Sequence, residues 1–202
     1  VVADGVWSRL RQRLLAHEPA HWTGHLAYRA LMPMDDLPIT VKQQVRTDDV
    51  TVWMGQDMHL VCYPVCAGQR LNVVCLVQAE LPPEVVHVQS WSLQKTPAQT
   101  RTDLQLALRG CCGAVHQLIE ACDEWRLWPL NGRTPMQSAN EHAQGRIALV
   151  GDAAHPMLPY LAQGAGMAIE DAQALAHHVP ASNPADVCAG LQAFAHARWQ
   201  RN

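Results

Sequence analysis

The stretch from Arg146 to Val179 constrains the fold more than any other part of this chain. Ile147, Ala148, Leu149 and Val150 form a continuous apolar run of the kind that suits a buried strand. Gly151-Asp152 ends the run, an irregular loop extends to about Gly164, and residues 167–179 place apolar side chains at helical spacing. Strand, Gly-Asp, loop, helix is the local grammar of a nucleotide site, because open α/β sheets bind ligands beyond the carboxyl ends of their strands. An ionised Asp152 at that end accepts hydrogen bonds from sugar-type hydroxyls; taken alone, a Gly-Asp pair reads sooner as a plain turn or helix cap. Gly164 and Gly166 let backbone pass close to a ligand, and the free N–H groups of a helix start favour negative charge. Glu170-Asp171, read as lying in the first helical turn, supports an ordinary helix start without any ligand.

The rest of the chain has a different rhythm. Val1-Val2-Ala3 reads as the end of a strand, Asp4-Gly5 as an acidic turn, and residues 6–15 as a short amphipathic helix with Val6, Leu10 and Leu14 on one face. From Trp22 to about Gln94 the period falls to two, in runs at 26–31, 50–54, 59–65, 71–77 and 86–93, which predicts an antiparallel sheet. Residues 67–69 predict a hairpin turn between two of those runs. Pro97 is expected to end the sheet, Thr102 or Asp103 to cap a helix to about Leu108, and a second helix to cover 114–122. A last helical pattern runs over 191–199.

Composition narrows the function classes. A chain of 202 residues that is 49% apolar can bury a core, and 15 basic against 18 acidic residues give no cationic footprint for a phosphate backbone. Nucleic acid is not an expected partner. Neither is a membrane, since no apolar run reaches about 20 residues and the first residues lack a signal-peptide pattern; the expectation is a cytoplasmic protein. The seven cysteines carry no paired C-x-x-C spacing and read as reduced thiols. Asp152-x-x-His155 with His177 and His178 lacks a third ligand at suitable spacing, so a metal-dependent hydrolase has little support, and no G-x-S-x-G elbow is present.

The run Gly151-Asp152-Ala153-Ala154-His155-Pro156-Met157-Leu158-Pro159, then Gln163-Gly164-Ala165 and Ala168-Ile169-Glu170-Asp171-Ala172, resembles the GD motif and flavin loop of the FAD-dependent aromatic-ring monooxygenases, the salicylate and para-hydroxybenzoate hydroxylase family. The opening Ala3-Asp4-Gly5-Val6-Trp7-Ser8-Arg9-Leu10-Arg11 is similar to that family's D-G-x-x-S-x-x-R fingerprint. Shorter echoes at Ala27-Tyr28-Arg29-Ala30-Leu31, Tyr63-Pro64-Val65 and Trp128-Pro129-Leu130 extend the likeness along nearly the whole chain. The family's G-x-G-x-x-G and the acidic residue for the adenosine ribose are absent. The expectation is therefore a carboxy-terminal fragment whose partner is the missing amino-terminal half of the same protein.

The resemblance implies an α/β fold with α+β character: an incomplete FAD/NAD(P)-binding domain with an inserted, largely antiparallel substrate sheet. Residues 1–21 and 146–202 would belong to the FAD domain, 22–95 to the sheet, and 96–145 to helices and the return. It also implies that Gly151 and Asp152 meet the flavin ribityl chain, and that Gln163, Gly164, Ala165 and Gly166 form the loop and helix start facing the pyrimidine ring. Asp4 and Gly5 would lie near the ribityl and pyrophosphate groups, with Arg11 supporting that turn or meeting NAD(P)H. Pro159 would present its carbonyl beside the substrate. His59 and Tyr63, four apart on a predicted strand, share one face of the sheet that roofs the family's active site, where they would bind or deprotonate a phenol; both could equally be satisfied core residues. The implied activity is hydroxylation of a small aromatic substrate with FAD, NAD(P)H and oxygen through a C4a-hydroperoxyflavin. The competing reading is a non-catalytic remnant acting as a binding module. Oligomeric state, a homo-oligomer included, stays open.

Overall fold

The computed structural model describes residues 1–16, 18–80, 93, 95–179 and 186–202. The period-two runs form four of the five strands of one sheet: β1 (His21–Pro33), β2 (Thr51–Met54), β3 (Met58–Val65), β4 (Arg70–Gln78) and β5 (Arg126–Gly132), in the order β2-β3-β4-β1-β5. The β2–β3, β3–β4 and β1–β4 pairs are antiparallel. The turn expected at 67–69 closes the β3–β4 hairpin, with the Gln69 N–H donating to the Cys66 carbonyl at 3.2 Å. It holds Cys66 and Ala67 at φ 54° and Gly68 at φ 82°. The expected run at 86–93 lies outside the described residues except for Leu93, which makes an antiparallel bridge to Leu127.

Strand alternation separates two faces. On one, register aligns Met58, Val77 and Leu26, then Leu60, Cys75 and Tyr28, then Cys62, Val73 and Ala30. All of these are buried. Helices α2 (Ile39–Gln44), α3 (Pro97–Ala107) and α4 (Gly113–Glu120) bury Val41, Leu104, Val115, Leu118 and Ile119. The Cys122 thiol lies 3.6 Å from the Met32 sulfur, and Tyr28 meets Trp125 edge-on at 6.5 Å, so the segment following α4 packs on this face. The opposite face carries His59, Val61 and Tyr63, aligned with Leu76, Val74 and Asn72 on β4 and with Ala27, Arg29 and Leu31 on β1.

Two elements differ from the sequence expectation for identifiable reasons. Helix α3 begins at Pro97 rather than after Thr102, because Thr96-Pro97-Ala98-Gln99 is a capping box. Thr96 Oγ1 accepts from the Gln99 N–H at 3.2 Å, Gln99 Oε1 accepts from the Thr96 N–H at 2.9 Å, and proline at the first helical position lacks only an N–H that needs no partner there. Asp103, expected as a cap, instead binds Lys95. Strand β5 was hidden in the sequence by Pro129, since a proline within a run argues against a strand.

The chain divides into two compact units, Thr23–Leu130 and Val1–Trp22 with Asn131–Asn202. The second holds α1 (Arg9–Leu15), α5 (Ala139–His142), β6 (Ala143–Gln144), β7 (Ile147–Ala148), α6 (Gly164–His178) and α7 (Val187–Arg198). The apolar run 147–150 is divided between partners: β7 pairs with β6, and Leu149 forms a parallel bridge with Val2. Phe194, Ala195, Leu191, Ala148, Ala143 and Ala139 make one core cluster, and Val2, Leu149, Ala153 and Ala154 a second. Both clusters back onto the strand end that carries Gly151.

Candidate flavin site

The two sequence motifs meet within this second unit. Ser8 caps α1, its Oγ accepting from the Arg11 N–H at 3.1 Å. This aims Arg11, which is 1% exposed, at the opposite motif. Its guanidinium donates to the carbonyls of Ala154 at 2.5 Å, Ala153 at 3.3 Å and Thr134 at 2.8 Å. Arg133 does the converse, donating to the carbonyls of Val6 at 2.5 Å, Ser8 at 3.0 Å and Glu18 at 3.3 Å. Two buried arginines thus satisfy six loop carbonyls and hold the Asp4-Gly5 turn against the Gly151-Asp152 turn. Burial depresses both guanidinium groups, Arg11 to about 10, with the neighbouring Arg133 adding to that effect.

Gly151, at φ 54°, starts a 3₁₀ turn over Gly151–Ala153. Its N–H donates at 2.9 Å to Oδ2 of Asp171, a fully buried residue of α6. The same carboxylate pairs with His155 Nε2 at 2.5 Å and, through Oδ1, accepts from Arg198 Nε at 2.9 Å. Burial by itself would raise the Asp171 carboxyl, but the hydrogen bonds from His155, Gly151 and Arg198 outweigh it and hold the group at about 2. Arg198 also grips Glu170 at 2.7 Å and the Met167 carbonyl at 3.3 Å. His142 stacks edge-on to His155 at 6.4 Å and lies 5.0 Å from Phe194. It is fully buried with no hydrogen-bond partner on its ring nitrogens among the described residues, and burial pushes its pKa down to about 4.

This network fixes the parts that face outward. Asp152 is exposed, and no other described residue engages its carboxylate. Helix α6 starts at Gly164, three residues before the sequence suggested, and no side chain caps it. Ala165 and Gly166 are exposed in its first turn. Glu170 and Asp171 therefore lie in the second turn, committed to Arg198, and do not serve as helix-start acids. Gln163 Nε2 folds back to the Leu161 carbonyl at 3.3 Å. Pro159 opens a second 3₁₀ turn, its carbonyl accepting from the Ala162 N–H at 3.2 Å with one lone pair still available. Asp4 is exposed, and Gly5, at φ 78°, is half-buried. An uncapped helix start, an unengaged carboxylate and two left-handed glycine turns fit a ligand that brings hydroxyls and negative charge, as FAD does.

In the sheet unit, His59 and Tyr63 are half-buried on one face of β3, with Val61 between them. Asn72, opposite Tyr63, is fully buried and accepts from Arg29 Nε at 2.7 Å. Sequence reading singled out neither Asp171 and Arg198 as a pair nor the Arg29–Asn72 brace, whose partners are 27 and 43 residues apart with no local spacing to join them.

Residues 1–182 match the family model described as FAD binding domain, and the chain belongs to this family of FAD-dependent aromatic-ring monooxygenases. Among its relatives is 3-hydroxybenzoate 6-hydroxylase 1 of Aquipseudomonas alcaligenes, 33% identical over all of this chain and 46% of the relative. Another is 6-hydroxynicotinate 3-monooxygenase of Bordetella bronchiseptica, 35% identical over 98% of this chain and 48% of the relative. A salicylate hydroxylase substrate complex superposes with TM-score 0.83 at 27% identity, covering 98% of this chain and 50% of that one. Klebsiella pneumoniae HpxO complexed with FAD and uric acid gives TM-score 0.77 at 26% identity, over 98% and 46%. The chain thus spans about half the length of the relatives it matches.

Proposed function

We propose that this chain supplies the ribityl and pyrimidine part of an FAD site, together with the substrate-bearing sheet, of a monooxygenase that hydroxylates a small aromatic ring. The observation that carries the reading is the exposed Asp152 carboxylate and the uncapped α6 N-terminus, both anchored from behind by the buried Asp171 carboxylate. Segments 1–21 and 146–202 make up the flavin part, 22–95 the sheet, and 96–145 the return.

FAD held there would, once reduced by NAD(P)H, supply the oxygen activation that puts one oxygen atom on the ring and the other into water. Asp152 accepts hydrogen bonds from ribityl hydroxyls. The amides of Gly164, Ala165 and Gly166, with the positive end of the α6 dipole, favour negative charge on the pyrimidine ring. Asp4, Gly5 and Gly151 shape the turns that let backbone approach the cofactor. Arg11 is a positioning residue that joins those turns, and Gln163 and Pro159 set the loop between Asp152 and the helix. His59 or Tyr63 takes the proton from a phenolic substrate, which makes the ring more nucleophilic toward oxygen transfer.

No residue of this chain is assigned to the pyrophosphate's glycine-rich cradle or to the adenosine ribose; the proposal gives those to residues outside it, and expects the 202 residues alone to be inactive. The test is substrate-dependent NAD(P)H oxidation with hydroxylated product in the full-length protein. His59→Ala and Tyr63→Phe should each slow hydroxylation or weaken aromatic binding at unchanged FAD content. Unchanged rates and affinities in both variants sink the assignment of these two residues.

A further inference from the structure

The junction between α3 and α4 carries two adjacent thiols that the flavin reading does not use. Cys111 is half-buried and Cys112 exposed, and both are free. Their backbone is fixed on either side: the Cys111 N–H donates to the Leu108 carbonyl at 2.8 Å, and the Cys112 carbonyl accepts from the Val115 N–H at 3.1 Å. Cys112 is the N-cap of α4, and its side chain makes no capping hydrogen bond. Burial raises the Cys111 thiol, and the nearby Cys112 adds to that effect, so the group is protonated at neutral pH.

The pair opens on a cavity of about 920 Å³ within the sheet unit. Trp53, Met54, Met58 and Leu106 share its lining with the two thiols. Register pairs Trp53 with Leu60 and Met58 with Val77, on the face that α3 and α4 cover and the reverse of the one bearing His59 and Tyr63. Glycine at position 55 leaves room for the Met58 thioether, since a Cβ there would lie 2.9 Å from its Sδ. Thiols, thioethers and an indole make a soft, apolar surround of ligand-pocket size.

Two constraints choose the ligand. Consecutive Cα atoms stand about 3.8 Å apart, short of the roughly 4.4–6.8 Å that a disulfide spans, so a direct bridge between these neighbours is strained and the pair remains a dithiol. Among the described residues no group of three His, Cys, Asp or Glu side chains is placed to hold a metal ion, so a tetrahedral ion such as zinc lacks its ligands here. A soft atom that takes two sulfur bonds and carries an organic group of its own satisfies both constraints. Trivalent arsenic with one carbon substituent is such an atom, its larger radius relieving the close approach of the two sulfurs.

We propose that Cys111 and Cys112 form a dithiol site for mono-organic trivalent arsenicals, with the organic group lodged in the cavity against Trp53 and Met58. Binding of the dihydroxy form breaks two S–H and two As–O bonds and makes two S–As bonds; the protons leave with the oxygens as two waters. Arsenic stays trivalent, and no oxidant or reductant takes part. The inference does not depend on the flavin reading, and its test contains no flavin.

The experiment is titration of the fully reduced 202-residue chain with phenylarsine oxide, read by native mass spectrometry, then iodoacetamide alkylation and peptide mapping. One phenylarsine per chain is expected, with Cys111 and Cys112 protected from alkylation and excess ethane-1,2-dithiol restoring both. Cys112→Ser keeps a residue suited to the N-cap and should fold, while its affinity for phenylarsine oxide falls by about tenfold or more. Cys66→Ser and Cys188→Ser, which remove other exposed thiols, should leave the affinity unchanged. Thermal unfolding identifies any variant that fails to fold, and the protection map of the parent chain carries the test without one. Absence of a one-to-one adduct overturns the proposal, as does protection that falls on other cysteines or undiminished affinity in folded Cys112→Ser.

Discussion

Replacing Asp171 with Asn tests whether the buried carboxylate organises the Gly151-Asp152 turn. The carboxyl is held at about 2 against an ordinary 3.8, so its ionised form stabilises the folded state by about 2 kcal/mol at neutral pH. Asparagine loses that contribution. It also turns an NH₂ either toward the donors His155 and Gly151 or toward Arg198, leaving one set without an acceptor at a further cost of about 1–3 kcal/mol. The expected loss is about 3–5 kcal/mol, the range for breaking a buried ion pair. Urea unfolding at pH 7, followed by tryptophan fluorescence, measures it. Glu170→Gln serves as the contrast, because that side chain is 40% exposed and solvent screens its pairs with Arg198 and Arg201, so its loss should cost far less than that of Asp171. The sign of the pH dependence follows from the depressed folded pKa. The Asp171 contribution is complete above about 4 and is lost as pH falls toward about 2, so parent and variant should converge there. A loss under about 1 kcal/mol at pH 7, or one no larger than that of Glu170→Gln, refutes the reasoning.

Further predictions concern the same unit. His142, pushed down to about 4 from 6.5, stays neutral in the fold while the unfolded chain takes up a proton, so stability should fall by about 3 kcal/mol between pH 6.5 and 4. His142→Phe should remove that slope in an acid titration of unfolding free energy. Arg11→Met leaves the carbonyls of Ala153, Ala154 and Thr134 without their donor and should cost about 3 kcal/mol or more by urea unfolding. Gly190→Ala puts a methyl group inside contact distance of the His178 carbonyl oxygen where α7 meets the end of α6, and should lower the melting temperature by several degrees, about 1–3 kcal/mol of overpacking. Asp152→Asn, by contrast, changes an exposed, unengaged group; unfolding should shift by about 0.5 kcal/mol or less while flavin affinity drops.

Local patterns made most of the sheet legible in the sequence. Period two located β1 to β4, and Gly68 located the hairpin between β3 and β4, because alternation and turn chemistry act between neighbours along the chain. Thr96-Pro97-Ala98-Gln99 was legible too, but a proline after a strand reads as a stop unless the Gln three residues after the Thr is weighed with it. In the candidate site, the outward parts announced themselves through Gly-Asp and the glycine-rich helix start. Their support did not. His155 stands in the same run as Gly151-Asp152, yet its partner is Asp171, 16 residues away on α6. Arg198, near the end of the last helix, reaches back to the same carboxylate, and such a contact is set by helix packing that no sequence period encodes.

The central claim is that this chain carries the ribityl and pyrimidine part of a flavin site. The most direct measurement is an amide NMR titration of the 202-residue chain with riboflavin, which presents those two parts without the pyrophosphate or adenosine. The account predicts saturable shifts concentrated at Gly5, Gly151, Asp152 and Gly164 to Gly166, and their loss in Asp152→Asn at unchanged stability. Shifts confined to the sheet unit, or none at riboflavin saturation, would contradict it.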